Sequence, residues 1–149
     1  MSTETLNFAI NLSGTYWQKR PQFSIWLDDQ LVVASEIVAT DSQIVKFDRT
    51  LFYGSHDIKI RLENKTSADT TKDSQGNIYQ DMLLNINDIV IDDMSVGMLR
   101  YSAEYILDSQ QEYQGQMIKS LDRCVNLGWN GTYIFKFQSP FYVWLLEKL

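Results

Sequence analysis

The chain has 149 residues and a net charge of −6, with 44% hydrophobic and 21% charged residues. These values predict one globular domain, residues 1–149, with a hydrophobic core of its own. An acidic chain without a basic stripe is unsuited to nucleic acid, because binding to that backbone depends on cationic side chains. No apolar run approaches the ~20 residues that span a bilayer, so a membrane is not an expected partner either.

Strand patterns dominate the first third of the chain. Residues 23–27 alternate apolar and polar side chains, and residues 28–30 have the composition of a turn. The apolar residues 31–33 then predict a returning strand, so the segment is typical of a β-hairpin. Another short strand is predicted over residues 43–48.

The middle of the chain predicts two strands joined by a long loop. His56–Glu63 alternates strictly, which indicates a sheet with one solvated face. Its apolar face is formed by Ile58, Ile60 and Leu62. Residues 64–77 contain no large apolar side chain and predict a surface loop. Strand character returns over 78–91, and the change of parity at Asn87–Asp88 predicts a bulge or a short turn.

The last third gives weaker signals. Residues 92–116 predict an irregular connection, with one helical turn around 103–107. Residues 132–137 alternate as a strand, and an apolar run over 141–146 ends the chain. About eight short strands predict an all-β fold, a single-domain jelly-roll-like sandwich of two sheets with one long acidic loop and little helix.

The acidic loop is a candidate calcium site. Its predicted metal ligands are Asn64, Asp69, Asp73 and Asp81, because calcium takes six to eight hard oxygen ligands. Asn77 offers a further oxygen, and Gly76 permits a tight backbone turn. Lys65 and Lys72 add positive charge that opposes a cation. The alternative is a solvated loop in which Asp and Asn are ordinary turn formers.

Aromatic residues form a second candidate site. Those expected at turns or on polar strand faces are Tyr16, Trp17, Trp26, Tyr53, Tyr79 and Trp129. Their flat faces and polar edges suit contacts with sugars or with proteins. The four selected as carbohydrate- or partner-binding residues are Trp26, Tyr53, Tyr79 and Trp129. The alternative is that most of these rings cap the ends of the sandwich.

The sequence does not predict an enzyme. No G-x-S-x-G motif is present, and the only histidine is His56. Ser55 and Asp57 flank it, but neighbours on a strand point to opposite faces. His56 is therefore interpreted as a strand-start histidine that is hydrogen-bonded to a loop, and no catalytic residue is predicted.

Residues 45–93 resemble the calcium-dependent xylan-binding carbohydrate-binding modules. The matching positions are Gly54, His56, Ile58, Asn64, Asn77, Tyr79 and Asp81. The resemblance implies a jelly-roll sandwich whose loop calcium contacts sugar hydroxyls. The chain departs from the family at Lys65, where a second acidic residue is usual.

The C-terminal segment L-G-W-N-G-T-Y-I-F-K-F-Q-S-P-F-Y-V-W-L-L resembles small β-rich proteins of large tailed phages, especially those of marine cyanobacteria. That resemblance implies a virion protein that assembles in the host cytoplasm, with other virion proteins or its own copies as partners. The single cysteine, Cys124, is typical of such a reducing compartment.

The leading functional hypothesis is therefore a non-enzymatic structural or accessory protein of a phage particle. The alternative is a carbohydrate-binding module, with or without calcium, that binds glycans through residues 64–81 and nearby aromatic rings.

Overall fold

The computed structural model describes residues 1–149 and consists mainly of β-strands. In chain order these are β1 (Thr3–Thr15), β2 (Gln22–Leu27), β3 (Gln30–Glu36), β4 (Gln43–Phe52), β5 (Gly54–Leu62), β6 (Thr71–Lys72), β7 (Ile78–Gln80), β8 (Leu83–Ile91), β9 (Met94–Ser95), β10 (Glu104–Tyr113), β11 (Gln116–Asp122), β12 (Asn126–Leu127) and β13 (Gly131–Ser139). Two short 3-10 helices cover Ser67–Asp69 and Gly97–Ser102, and one α-helix, α1, covers Phe141–Lys148.

The strands form two antiparallel sheets that pack as a sandwich. The first has the order β12-β8-β1-β4, with β9 paired to β8, and the second has the order β11-β10-β13-β5-β2-β3. Strands β6 and β7 form a separate two-stranded ribbon inside the long loop. The predicted all-β, jelly-roll-like sandwich with little helix is confirmed.

A core of 29 buried apolar residues lies between the sheets. Strand β5 contributes Ile58, Ile60 and Leu62, which are fully buried, as their alternation predicted. Ile58 pairs with Phe135 and Ile60 with Tyr133, so two neighbouring strands present the same face to the core. Burying each of these side chains stabilises the fold by ~1.5–3 kcal/mol. The core therefore fixes the positions of the strands, and the loops start from the ends of these strands.

Pairs of acidic residues form two of the tight turns. Asp28 and Asp29, with φ of 49° and 66°, join β2 to β3. Asp92 and Asp93, with φ of 50° and 61°, join β8 to β9. A two-residue turn with positive φ at both positions matches the twist of the flanking strands, and aspartate tolerates this conformation. The hairpin predicted around Asp28 is confirmed.

Register shifts interrupt four of the strand ladders, and two of these shifts are single-residue bulges in the main sheets. Asn11 pairs with Asp88 and Leu12 with Ile86, which leaves Asn87 without a partner in the ladder. The change of parity predicted at Asn87–Asp88 is therefore confirmed as a bulge. A second bulge leaves Val32 of β3 unpaired with β2.

The irregular connection predicted over residues 92–116 is found at residues 92–103, which form a tight turn, the two-residue strand β9 and a 3-10 helix. The prediction was wrong for residues 104–116 and for the helix at 103–107. Residues 104–113 form β10, which turns at Gln114–Gly115 into β11. The pairing of β10 with β13 ends at Leu107. Beyond that residue β10 has only β11 beside it, and its residues are mostly exposed and polar. The apolar alternation that marks a core strand is therefore missing there.

The apolar run at the C-terminus forms helix α1. Phe141, Trp144 and Leu145 are buried, and this spacing places them on one face of the helix. Phe141 packs against Phe137 of β13, with 6.1 Å between the ring centroids. A bilayer-spanning helix is not found in this fold.

Candidate functional site

The long loop lies at one end of the sandwich, beside two other connections. Leu62, the last residue of β5, pairs with Phe23 near the start of β2 and with Gly131 at the start of β13. The segments that precede these strands therefore meet the long loop at this end. We call this surface the loop end and define it as residues 16–21, 63–82 and 128–130.

Asp69 is a buried anchor of the loop end. Its carboxylate accepts hydrogen bonds from Thr66 N (2.7 Å) and from Gln18 Nε2 (2.7 Å), and Lys19 Nζ lies 3.1 Å away. Its backbone carbonyl accepts the Trp17 indole N–H at 2.9 Å. Burial opposes ionisation, but these hydrogen bonds outweigh it and hold the pKa of Asp69 below its usual value. Asp69 therefore joins the β1–β2 connection to the long loop.

Lys65 and Asp81 form a second, more enclosed ion pair. The Lys65 ammonium donates to Asp81 Oδ1 at 2.6 Å and to the Gly128 carbonyl at 2.6 Å. The same carboxylate oxygen accepts Thr70 Oγ1–H at 2.7 Å and Met82 N–H at 2.8 Å. Burial acts to raise the pKa of Asp81, but the hydrogen bonds from Lys65, Thr70 and Met82 lower it overall. Asp81 is therefore ionised, and its Oδ1 accepts three hydrogen bonds.

The other two predicted ligands also hold the backbone. Asn64 accepts Gln22 N–H at 2.8 Å and donates to the Arg20 carbonyl at 3.0 Å. Asp73 Oδ1 accepts the backbone N–H groups of Gln75 and Asn77, each at 2.9 Å, and these bonds lower its pKa. Both side chains stabilise local loop geometry.

The arrangement of these residues does not fit a calcium ion. Asn64, Asp69, Asp73 and Asp81 each bind different protein donors and do not converge on one point. No group of three or more His, Cys, Asp or Glu side chains that could hold a metal ion is present. At Asp81 the cationic position is filled by the ammonium of Lys65.

Four aromatic residues belong to the loop end, and one of them, Tyr16, packs against the core. Tyr79 on β7 is 67% exposed, and Trp17 is 42% exposed, with its indole N–H fixed by Asp69. Trp129 is half-buried; its backbone N–H donates to Tyr105 Oη at 3.0 Å, and its ring meets Tyr113 edge-on. Contacts with the protein hold Trp17 and Trp129 in place, and Trp17 and Tyr79 leave aromatic surface open to solvent.

The other two predicted aromatic residues lie elsewhere. Trp26 is half-buried on β2, where its indole N–H donates to Ser24 Oγ at 2.9 Å. Tyr53 is 51% exposed and sits between β4 and β5, at the opposite end of β5 from the long loop. The nine residues of β5 separate the two ends by roughly 25–30 Å. Of the four predicted residues, the structure brings only Tyr79 and Trp129 to the loop end.

Sequence reasoning missed several residues of the loop end. Gln18 and Lys19 reach Asp69 across about fifty positions of sequence. Asn130 clamps the backbone of Lys65, accepting its N–H at 2.7 Å and donating to its carbonyl at 2.9 Å. Only Asn130 had a local signal, because an Asn-Gly pair such as Asn130-Gly131 is typical of a turn.

A cleft of about 570 Å³ lies at the opposite end of the sandwich and contains His56. The imidazole places Nδ1 2.5 Å from Asp28 Oδ2 and Nε2 2.6 Å from the Phe52 carbonyl. Both partners accept hydrogen bonds, which favours the doubly protonated, cationic form of the ring. Burial opposes this charge, but the Phe52 and Asp28 contacts raise the pKa overall. The interpretation of His56 as a strand-start histidine bonded to neighbouring segments is confirmed.

Comparison with known proteins gives a structural likeness and no sequence family. The sequence matches no protein-family model, and no curated protein sequence matches it significantly. One similar solved structure is vCBM60 in complex with galactobiose, with a TM-score of 0.54 and 14% identity over 87% of this chain and 96% of that chain.

A second similar structure is the selenomethionine form of vCBM60. It has a TM-score of 0.57 and 15% identity over 87% of this chain and 89% of that chain. That structure relates two families of calcium-dependent carbohydrate-binding modules by circular permutation. At this identity the likeness establishes the fold shared by the chains.

Proposed function

We propose that the protein is a non-catalytic carbohydrate-binding module, and that the glycan binds at the loop end. The observation that carries the proposal is the pair of exposed aromatic rings at that end, Trp17 and Tyr79, together with the half-buried Trp129 at the same end. The likeness to vCBM60, one structure of which contains galactobiose, supports it.

The contacts that hold Trp17 and Trp129 favour binding because they fix these two residues before a ligand arrives. Trp17 is held through Asp69, and Asp69 is held by Gln18 and Thr66. A rigid ring loses little side-chain freedom when a ligand covers it, so more of the contact energy appears as affinity.

Neutral polar side chains are also exposed at the loop end. Ser67, Gln75 and Asn77 are exposed on the long loop. Amides and hydroxyls both donate and accept hydrogen bonds, as sugar hydroxyls do. Aromatic faces with a few polar groups beside them are typical of small-molecule sites. The loop end therefore offers the two kinds of contact that a glycan needs.

The test is isothermal titration calorimetry with galactobiose and with xylo-oligosaccharides. We expect saturable binding of at least one of them, and a loss of affinity of about tenfold in Tyr79→Ala and in Trp17→Ala. Tyr142→Ala is the matched control, because Tyr142 is 59% exposed on α1, away from the loop end. Equal losses in all three variants, or no binding of any glycan on a broad array, would contradict the proposal.

A role in protein contacts is a second candidate, and a separate observation favours it. Tyr142, Val143 and Leu146 on the outer side of α1 are each more than half exposed. Apolar and aromatic side chains of this kind are typical of protein interfaces. The role in a phage particle and the virion location stay predictions of the sequence.

Light scattering tests this second candidate. Self-association that Leu146→Glu abolishes would support α1 as a contact surface between copies, and a monomer at all concentrations would exclude that contact.

A further inference from the structure

We propose that the ammonium of Lys65 is a built-in structural cation of the loop end, occupying the position between the Asp81 carboxylate and the Gly128 carbonyl that a bound metal ion would otherwise take. The loop end then needs no calcium to keep its shape. That glycan binding also proceeds without calcium rests on the proposed function, but the cation site itself does not.

The side chains of Lys65 and Asp81 are largely shielded from solvent. The Lys65 side chain is only 10% exposed and that of Asp81 is 20% exposed. A lysine on a polar surface loop ordinarily keeps its charged group in water. By comparison, Lys19, the other lysine paired with a loop aspartate, is 38% exposed. The Lys65 ammonium is thus held inside the loop end.

The neighbours of the Lys65 ammonium are oxygen atoms of types that also bind metal ions. The ammonium lies 2.6 Å from a carboxylate oxygen of Asp81 and 2.6 Å from the carbonyl oxygen of Gly128. Calcium binds the same oxygen types at 2.3–2.6 Å. An ion placed at the nitrogen position would therefore meet both oxygens at the upper end of its bonding range. The same Asp81 oxygen also accepts the Thr70 hydroxyl at 2.7 Å.

The Lys65 ammonium also cross-links separate segments of the chain. Lys65 follows β5, Asp81 precedes β8, and Gly128 precedes β13, so one ammonium connects three segments that lie far apart in sequence. Asn130 adds two hydrogen bonds to the backbone of Lys65. A metal ion in a binding loop performs this same cross-linking by gathering oxygens from separate segments. Here a covalently attached cation performs it.

The proposal predicts how the loop end responds to calcium, and thermal unfolding without any glycan measures this. For the wild-type protein we expect the same Tm in millimolar calcium and in EDTA. A ligand that binds only the native state raises Tm, so a clear rise in wild-type Tm with calcium would overturn the proposal.

The second arm of the experiment uses Lys65→Asp. An aspartate carboxylate plus one Ca–O bond spans about the length of a lysine side chain, so this change supplies a carboxylate in place of the ammonium. Without metal we expect Tm to fall by several degrees, because two carboxylates then repel each other. Millimolar calcium should restore most of that loss, and magnesium less of it.

Two controls make the outcome decisive. Lys72→Asp changes an exposed lysine of the same loop, and its Tm should not respond to calcium. Lys65→Met removes the charge and supplies no new ligand, so its Tm should fall and stay low in calcium. The proposal would be overturned if the Tm of Lys65→Asp did not rise with calcium. It would also be overturned if Lys65→Met were as stable as the wild type. A failure to bind glycans would leave these results unchanged and would count only against the proposed function.

Discussion

The imidazole Nδ1 of His56 lies 2.5 Å from Asp28 Oδ2, which ties the start of β5 to the turn between β2 and β3. The pKa of His56 is raised above its ordinary value of 6.5, despite partial burial, by the Phe52 carbonyl and by Asp28. The folded protein therefore holds this proton more tightly than the unfolded chain does.

This raised pKa predicts a pH-dependent stability. The stabilisation from His56 is fully present below the unfolded pKa and is lost as pH rises through the folded pKa. Urea unfolding between about pH 6 and pH 8 should give a free energy of unfolding that falls as pH rises. In Asp28→Asn, which keeps a residue tolerant of positive φ, the decline should be smaller. A wild-type stability that increases across this range would contradict the assignment.

Replacing Asp81 should destabilise the fold. In Asp81→Asn the Lys65 ammonium keeps its enclosed position and loses its charged partner, which costs about 3 kcal/mol. Urea unfolding measures this loss. Asp73→Asn is the control: Asp73 is exposed, and an asparagine oxygen can accept the same backbone N–H groups, so a change within about 0.5 kcal/mol is expected. Equal losses in the free energy of unfolding would show that the Lys65–Asp81 ion pair contributes no more to stability than the contacts of Asp73.

Gly131 should not tolerate a side chain. A Cβ at this position would lie 2.4 Å from the Ile106 carbonyl oxygen, so β10 and β13 would have to separate. Gly131→Ala should lower the free energy of unfolding by about 1–3 kcal/mol. At Gly128 the nearest atom is the flexible end of Leu83, at 3.3 Å. Chemical denaturation of Gly128→Ala should therefore show a clearly smaller loss.

Replacing Tyr105 should lower both the stability of the fold and its affinity for glycans. Its hydroxyl donates to the Trp129 carbonyl and accepts the Trp129 N–H at 3.0 Å. Tyr105→Phe leaves both backbone groups unpaired, so we expect a loss of about 1–3 kcal/mol in stability and weaker glycan binding.

The matched control for Tyr105 is Tyr133→Phe. The Tyr133 ring is as deeply buried, but its hydroxyl donates to the Arg100 carbonyl at 2.6 Å, outside the loop end. Its stability should fall by about 1 kcal/mol while its affinity is unchanged. If calorimetry shows the same affinity loss in both variants, Trp129 is not positioned through Tyr105.

The elements that the sequence predicted well are those with local signals. The alternation in β5, the turn at Asp28–Asp29 and the parity change at Asn87 each depend on a few adjacent residues. The hairpin of β10 and β11 was missed, because the part of β10 beyond Leu107 has no core face and carries polar residues throughout.

The candidate site was predicted less well than the fold. The sequence shows which carboxylates lie in the long loop, but it does not show which residues bind them. Gly128, which completes the surroundings of Lys65, is 63 positions away. Trp17 was visible as an aromatic residue at a turn, yet only the folded structure shows that it rests on Asp69. Side chains that meet across loops carry no periodic signal in the chain.

The bulge at Val32 has a consequence for how the protein behaves at high concentration. Strand β3 is an outer strand of its sheet, and Leu31 on it is 51% exposed. A regular apolar strand in this position would offer a row of free backbone groups to the same strand of another molecule. The bulge disrupts the regular spacing of those groups, so an incoming strand cannot pair along the full edge. An irregularity that weakens one ladder thus protects the molecule against edge-to-edge aggregation.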